Sequence, residues 1–255
     1  MKLYGLLGAK LGHSYSKIIH NNLFKLLKID AKYELLECEE KELKDYITKL
    51  KNGDYQGFNV TIPYKKIIMN YLDEIDEKAL SIGSVNTIYL KDNKVIGTNT
   101  DYDGFLATLE SNKIEVLNKN CYILGTGGAS LAVNKVLKDL GGKTIFVSRS
   151  PKGEQISYQE LATKKIDLLV NTTPVGMYPN VDASPVEDEV VFKSKVVIDI
   201  IFNPIKTKLL SKAKIGINGM EMLLMQAIKA EEIWQQRKIA VDLDKLLVIE
   251  GEVDE

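Results

Sequence analysis

Apolar and polar positions alternate along this chain in two rhythms. Short apolar runs at Leu3 to Leu7, Tyr33 to Cys38 and Gly57 to Ile62 are each followed by a stretch with helical spacing, which predicts β-α-β units over the first hundred residues. In the first helical stretch Ile19, Leu23, Leu26 and Leu27 share one stripe, and Ser16 stands where an N-cap is expected. The second stretch runs from about Glu40 to Leu50 and stops at Asn52-Gly53. The third is predicted to begin after Pro63. Val85 to Leu90 and Val95 to Thr98, joined across Asp92-Asn93, predict a hairpin.

From Asn99-Thr100-Asp101 the pattern changes. A helix is predicted from about Tyr102 to Leu109, then a lysine-rich stretch, then strands at Cys121 to Leu124, Lys143 to Ser148, Ile166 to Val170 and Val196 to Ile201. Between the first two of these strands Ala129, Val133, Val136 and Leu140 form a helical stripe. Continuous apolar strands separated by helices imply a parallel sheet covered on both faces. From Met220 onward the chain reads as helical again.

Composition narrows the class. With 255 residues, 45% of them hydrophobic, the chain suits two α/β domains better than one. A formal net charge of -1 offers no nucleic-acid footprint, so a small-molecule substrate is the expected partner. Cys38 and Cys121, with His13 and His20, suggest neither a disulfide framework nor a metal site. No apolar run approaches the roughly 20 residues of a membrane span, and the opening residues lack a signal-peptide layout. The expected location is the cytoplasm.

Candidate chemistry starts at Cys121 to Ser130, where a strand breaks into glycines as a helix begins. Gly125, Gly127 and Gly128 let the backbone turn sharply and approach a pyrophosphate at the helix start, although Ser130 stands where a third Gly or Ala is preferred. About 20 residues on, where an acid would bind the ribose of NAD, the chain has Ser148-Arg149-Ser150. Only Arg149 and Arg237 are arginine in this lysine-rich chain, and a guanidinium suits the 2′-phosphate of NADP. Lys65, expected in a first helical turn that disfavours a cation, reads by itself as an exposed surface lysine before it reads as a working group. Capping alone accounts for Asp101, and Asn86 fits a turn. Gln226 places an amide among Met222, Leu223, Ala230 and Ile233, where it needs a partner from backbone or ligand.

Taken in order, the motifs resemble shikimate dehydrogenases over essentially the whole chain. They are Gly12-His-Ser-Tyr-Ser16, Asn59-Val-Thr-Ile-Pro-Tyr-Lys65, Gly83-Ser-Val-Asn-Thr87, Gly97-Thr-Asn-Thr-Asp-Tyr-Asp-Gly104, Gly125-Thr-Gly-Gly-Ala129, Asn171-Thr-Thr-Pro-Val-Gly-Met177, and Asn218-Gly219 with Met222-Leu223 and Gln226. The resemblance implies a substrate-binding domain with a mixed sheet over 1–101 and a Rossmann-like NADP domain over 102–218. Helices over 219–255 would return to the first domain. It implies reversible, NADPH-dependent reduction of 3-dehydroshikimate to shikimate, with Lys65 and Asp101 as the catalytic pair and Ser14, Ser16, Thr61, Asn86 and Gln226 on the substrate. Cofactor contacts would come from Gly125, Gly127, Gly128, Ala129, Ser148, Arg149, Ser150, Lys152, Thr172, Ile200 and Gly219. A monomer or homodimer is expected.

Three positions depart from the family pattern. Lys17 replaces a proline, Phe202 replaces a tyrosine, and the later phosphate-clamp arginine is Gly153, with Lys152 one place early. Phe202 and Gly153 keep open a dual-specificity quinate/shikimate dehydrogenase that also uses NAD. A non-catalytic dinucleotide sensor is the remaining alternative, and it would need none of Lys65, Asp101, the two serines and Gln226.

Overall fold

Two sheets of different design carry the chain. The computed structural model describes residues 1–12 and 14–247, so His13 and the last residues of the helical segment expected over 219–255 lie outside the described residues.

The first part of the chain runs β1 (Lys2–Gly8), α1 (Ser16–Leu26), β2 (Ala31–Glu37), α2 (Leu43–Lys51), β3 (Gly57–Val60), β4 (Glu74–Ile75), α3 (Glu77–Ile82), β5 (Thr87–Lys91) and β6 (Lys94–Thr98). These strands form one mixed sheet in the order β2-β1-β3-β5-β6-β4, with β1 parallel to β2 and β3, and β5 antiparallel to β3 and β6. The β5–β6 hairpin turns on Asp92 (φ 50°) and Asn93 (φ 60°), the paired left-handed conformation a two-residue turn requires. One face of the sheet packs Leu7, Phe58 and Ile88 with Leu43, Ile47 and Leu50 of α2. The other packs Tyr4, Leu6 and Tyr33 with Phe24 of α1.

The second part runs α4 (Asp101–Ser111), β7 (Asn120–Leu124), α5 (Gly128–Asp139), β8 (Lys143–Val147), α6 (Tyr158–Leu161), β9 (Leu168–Asn171), α7 (Asp188–Lys193), β10 (Val196–Asp199), α8 (Lys208–Ser211), β11 (Gly216–Ile217) and α9 (Met220–Gln235). Its sheet is all parallel in the order β11-β10-β9-β7-β8. Both faces are covered. Cys121 and Ile123 of β7 point into a core with Phe105, Val133 and Val136, while Tyr122 and Leu124 point into another with Val147, Leu161 and Val191. The chain divides into two compact units, Met1–Thr100 with the chain from Leu224 onward, and Asp101–Leu223.

Two local expectations are corrected. No α-helix begins after Pro63: the Thr61 carbonyl accepts from the Tyr64 N–H at 2.8 Å, and the chain turns into a short 3-10 helix at Ile67–Tyr71. Lys65 therefore stands in a turn, not in the first turn of an α-helix. Ser16 is not the N-cap of α1 but its first residue. The Leu11 carbonyl accepts from the Ser14 N–H at 2.9 Å, a turn that runs into the helix, and the Ser14 hydroxyl accepts from the Ser16 N–H at 3.3 Å. The N-cap is Tyr15, whose side chain makes no capping bond. The short elements β4, α3, α6, α7, α8 and β11 escape periodicity altogether, because two to six residues hold less than two helical turns.

Candidate active site

In the mixed sheet the topology collects polar residues at one end. Parallel β1 and β3 both finish there, β6 finishes there, and antiparallel β5 starts there, so the segments after Gly8, after Val60, before Thr87 and after Thr98 are neighbours. Backbone bonds tie them together. Leu7 O accepts from Thr61 N at 2.9 Å, Lys65 O from Val85 N at 2.8 Å, Asn86 O from Val60 N at 2.8 Å and Thr98 O from Asn86 N at 3.1 Å. Ser14, Thr61, Lys65 and Asn86 thus descend from adjoining strand ends, with Ser14 and Ser16 linked by their own hydrogen bond.

Asn86 is buried and rigidly oriented. Its Oδ1 accepts from the Thr100 backbone N–H at 2.7 Å, and its Nδ2 donates to Thr100 Oγ1 at 3.1 Å. A backbone N–H can only donate, which fixes which end of the amide is which. Behind it, Asn59 Nδ2 donates to Thr87 Oγ1 at 2.9 Å and Asn59 Oδ1 accepts from the Tyr33 hydroxyl at 2.7 Å. Asp101, the residue after Thr100, opens α4 and is buried. Lys65 and Gln226 are both half-buried, Lys65 in the turn after β3 and Gln226 on α9.

The parallel sheet builds the second part of the candidate site. From β7 the chain moves to β8 on one side and then to β9 on the other, so its order reverses at β7, the point where open α/β sheets hold ligands at their carboxyl ends. Gly125 lies immediately past that strand with φ 99°, a conformation that favours glycine. A Cβ there would meet Thr173 at 3.0 Å and Thr172 at 3.1 Å. Gly127 occupies the N-cap of α5 without a capping side chain, and a Cβ on it would meet nothing within 4 Å. Open space over uncapped amides at the start of a 12-residue helix fits a pyrophosphate. Ser130 is accommodated rather than anomalous: it is buried, and its hydroxyl donates to the Gly127 carbonyl at 2.6 Å.

The remaining cofactor candidates sit on loops at the same carboxyl edge. Thr172 donates its hydroxyl to the Leu124 carbonyl at 2.6 Å, tying the β9 loop to the glycine turn. Ile200 follows β10, and Gly219 passes so close that a Cβ would lie 1.9 Å from the Ile200 carbonyl oxygen. After β8, the Ser148 hydroxyl accepts from the Ser150 N–H at 3.2 Å, shaping the exposed loop that carries Arg149 and Lys152.

Pattern reading missed a support for these loops. Asp199, ending β10, is buried: its carboxyl accepts from Thr207 Oγ1 at 2.7 Å, Asn171 Nδ2 at 3.0 Å and Ile201 N at 3.2 Å. Burial nonetheless pushes its carboxyl up to about 6, against the lowering effect of those three donors. Asn171 Oδ1 in turn accepts from both the N–H and the hydroxyl of Thr173. A carboxylate closing an otherwise apolar strand, Val-Val-Ile-Asp, was the available signal. Asn59 and Thr87 stand in two of the family motifs, but nothing local to either names the other as its partner. Among the described residues no group of His, Cys, Asp and Glu could hold a metal ion, and no helix is long and apolar enough to cross a membrane.

A parallel-sheet unit of dinucleotide-binding type joined in one chain to a mixed-sheet unit with polar strand ends defines a two-unit α/β class of nucleotide-binding protein. Residues 6–88 match the model of the shikimate dehydrogenase substrate binding domain. The chain is 49% identical over 253 residues to a shikimate dehydrogenase (NADP(+)) of Clostridium beijerinckii, covering 92% of this chain and 93% of that protein. Among solved structures, a chorismate mutase/shikimate 5-dehydrogenase fusion protein from Clostridium acetobutylicum superposes with a TM-score of 0.93 at 40% identity, covering 97% of this chain and 96% of that one. A shikimate 5-dehydrogenase from Thermus thermophilus in complex with NADP(H) and shikimate gives a TM-score of 0.86 at 26% identity, with 97% of each chain covered. The chain belongs to the shikimate dehydrogenase family.

Proposed function

We propose that this chain catalyses the NADP-dependent, reversible interconversion of 3-dehydroshikimate and shikimate, with Lys65 and Asp101 as the acid–base pair. NADPH, when bound, supplies the hydride that reduces the ketone. Its pyrophosphate would rest on the Gly125–Ala129 turn, its 2′-phosphate on Arg149 with Ser148, Ser150 and Lys152, and Thr172, Ile200 and Gly219 would line its path. As negative charge grows on the ketone oxygen, the Lys65 ammonium stabilises it and delivers a proton. Asp101 accepts a hydrogen bond from a substrate hydroxyl and orients Lys65. Ser14, Ser16, Thr61, Asn86 and Gln226 hold the carboxylate and hydroxyls.

The observation that carries this reading is the run of hydrogen bonds joining strand ends in the mixed-sheet unit. Val85 N–H bonds the Lys65 carbonyl, and the next residue, Asn86, bonds Thr100, the neighbour of Asp101. A lysine from one strand end and the residue before an aspartate from another are thereby held to the same two-residue segment. A sensor that only bound a dinucleotide would have no use for that arrangement.

Lys65→Ala and Asp101→Asn are each expected to lower kcat by about 10²- to 10⁴-fold, the usual contribution of a positioned acid or base. Shikimate binding, measured separately by calorimetry, should persist. Near-normal turnover in either variant would remove that residue from the catalytic pair.

A further inference from the structure

His20 is fully buried, and nothing in the reaction above uses it. It lies on α1 one turn after Ser16, and its Nδ1 is 2.7 Å from Oε1 of Glu231 on α9, 211 residues away in the chain. Glu231 is equally buried, and its Oε2 also accepts from Gln235 Nε2 at 3.0 Å. The His20 Nε2 has no hydrogen-bond partner among the described residues. Taking an imidazole and a carboxyl group out of water is unfavourable, and apolar residues of similar size would fill the same space at lower cost. The pair therefore needs a return beyond packing.

Its neighbours supply one. Residues four apart on a helix share a face, so His20 fixes the face of α1 that begins with Ser16. On α9, Gln226 precedes Glu231 by five residues, about 7.5 Å along the axis. The His20 ring is also stacked on Tyr33, with centroids 4.1 Å apart and planes 2° from parallel. The Tyr33 hydroxyl donates to Asn59 Oδ1, Asn59 Nδ2 donates to Thr87 Oγ1, and Thr87 Oγ1 donates to Asn86 Oδ1 at 3.0 Å. One buried hub thus reaches the elements or side chains of Ser16, Gln226 and Asn86.

We propose that His20, Glu231 and Tyr33 are positioning residues for the substrate, setting Ser16 and Gln226 through the α1–α9 clasp and Asn86 through the Tyr33–Asn59–Thr87 relay. This rests on the reading that Ser16, Asn86 and Gln226 bind the substrate. The clasp acts on substrate affinity and leaves the dinucleotide unit alone.

Steady-state shikimate oxidation by the full chain tests it. Glu231→Gln keeps an acceptor oxygen for the ring N–H and is expected to stay within about twofold of wild type, whereas Glu231→Leu removes it and should raise the shikimate KM about tenfold. The NADP KM should move less than about twofold in both. Tyr33→Phe, which deletes one oxygen, should raise the shikimate KM about threefold with an unchanged NADP KM. If Glu231→Leu fails to fold by circular dichroism, Tyr33→Phe decides. An unchanged shikimate KM in Tyr33→Phe or in folded Glu231→Leu, or equal rises in both KM values, overturns the inference. Gln226→Ala separates the two levels: an unchanged shikimate KM there removes the substrate-binding reading itself, while a raised KM there beside a normal Glu231→Leu removes only the clasp.

Discussion

Asp199 shows what one buried carboxyl does to the pH profile of the whole chain. Its ordinary value of 3.8 rises to about 6 on folding because burial outweighs three hydrogen bonds. The folded state then holds its proton more tightly than the unfolded state, so this group's contribution to stability falls as pH rises from about 4 to about 6. Above that window ionised Asp199 costs up to ~3 kcal/mol. Asp199→Asn keeps the shape and should gain on wild type through that window, with the gain levelling off above about pH 7. Melting temperatures of both proteins from pH 4 to 8 measure it, and a constant difference across the range would contradict the raised value. Arg149 is the other residue whose effect is local. It is exposed on the loop after β8, and loss of a charge-assisted bond to a 2′-phosphate is worth about 1.5–3 kcal/mol, or roughly 10- to 100-fold in affinity. Arg149→Ala should raise the NADP KM by that factor and change the NAD KM by less than about threefold. Equal losses for the two cofactors would refute the assignment.

Among elements, those long enough to show a period were legible and the junctions were not. The helix expected around Ile19 and Leu23 became α1, although its buried face adds His20 and Phe24 while Leu26 is exposed and Leu27 is the C-cap, and the Asp92-Asn93 turn became the β5–β6 hairpin, because each depends on contacts a few residues apart. The stretch after Pro63 defeated the same logic. Tyr-Lys-Lys-Ile-Ile has helical composition, yet the Thr61 carbonyl closes a turn at Tyr64 and the distant Val85 captures the Lys65 carbonyl, a contact that no window around Lys65 contains. The β11–α9 junction is a similar case. Gly219 needs no unusual dihedral, but it passes against the Ile200 carbonyl with no room for a side chain. Gly219→Ala is expected to destabilise the protein by about 1–3 kcal/mol as strands and helix shift apart. The urea midpoint reports this directly, and an unchanged midpoint would mean that the junction yields freely.

At the scale of the molecule, chain order and function run together. The chain passes from the mixed-sheet unit to the parallel-sheet unit at Thr100–Asp101 and returns at Leu223–Leu224, so each passage falls within a few residues of a proposed site residue, Asp101 or Gln226. The glycine turn, Arg149 and the ordered motifs were readable from the sequence by itself, since strand-turn-helix chemistry and motif spacing are local properties. With them came the α/β class and the family. Tertiary structure alone decided that Asn86 faces Thr100, that Asp199 braces two loops, and that His20 meets Glu231. Those contacts join positions up to 211 residues apart. Polar side chains in an apolar run announce that a partner is needed, but which partner is fixed by strand order and helix docking, not by anything nearby in the chain.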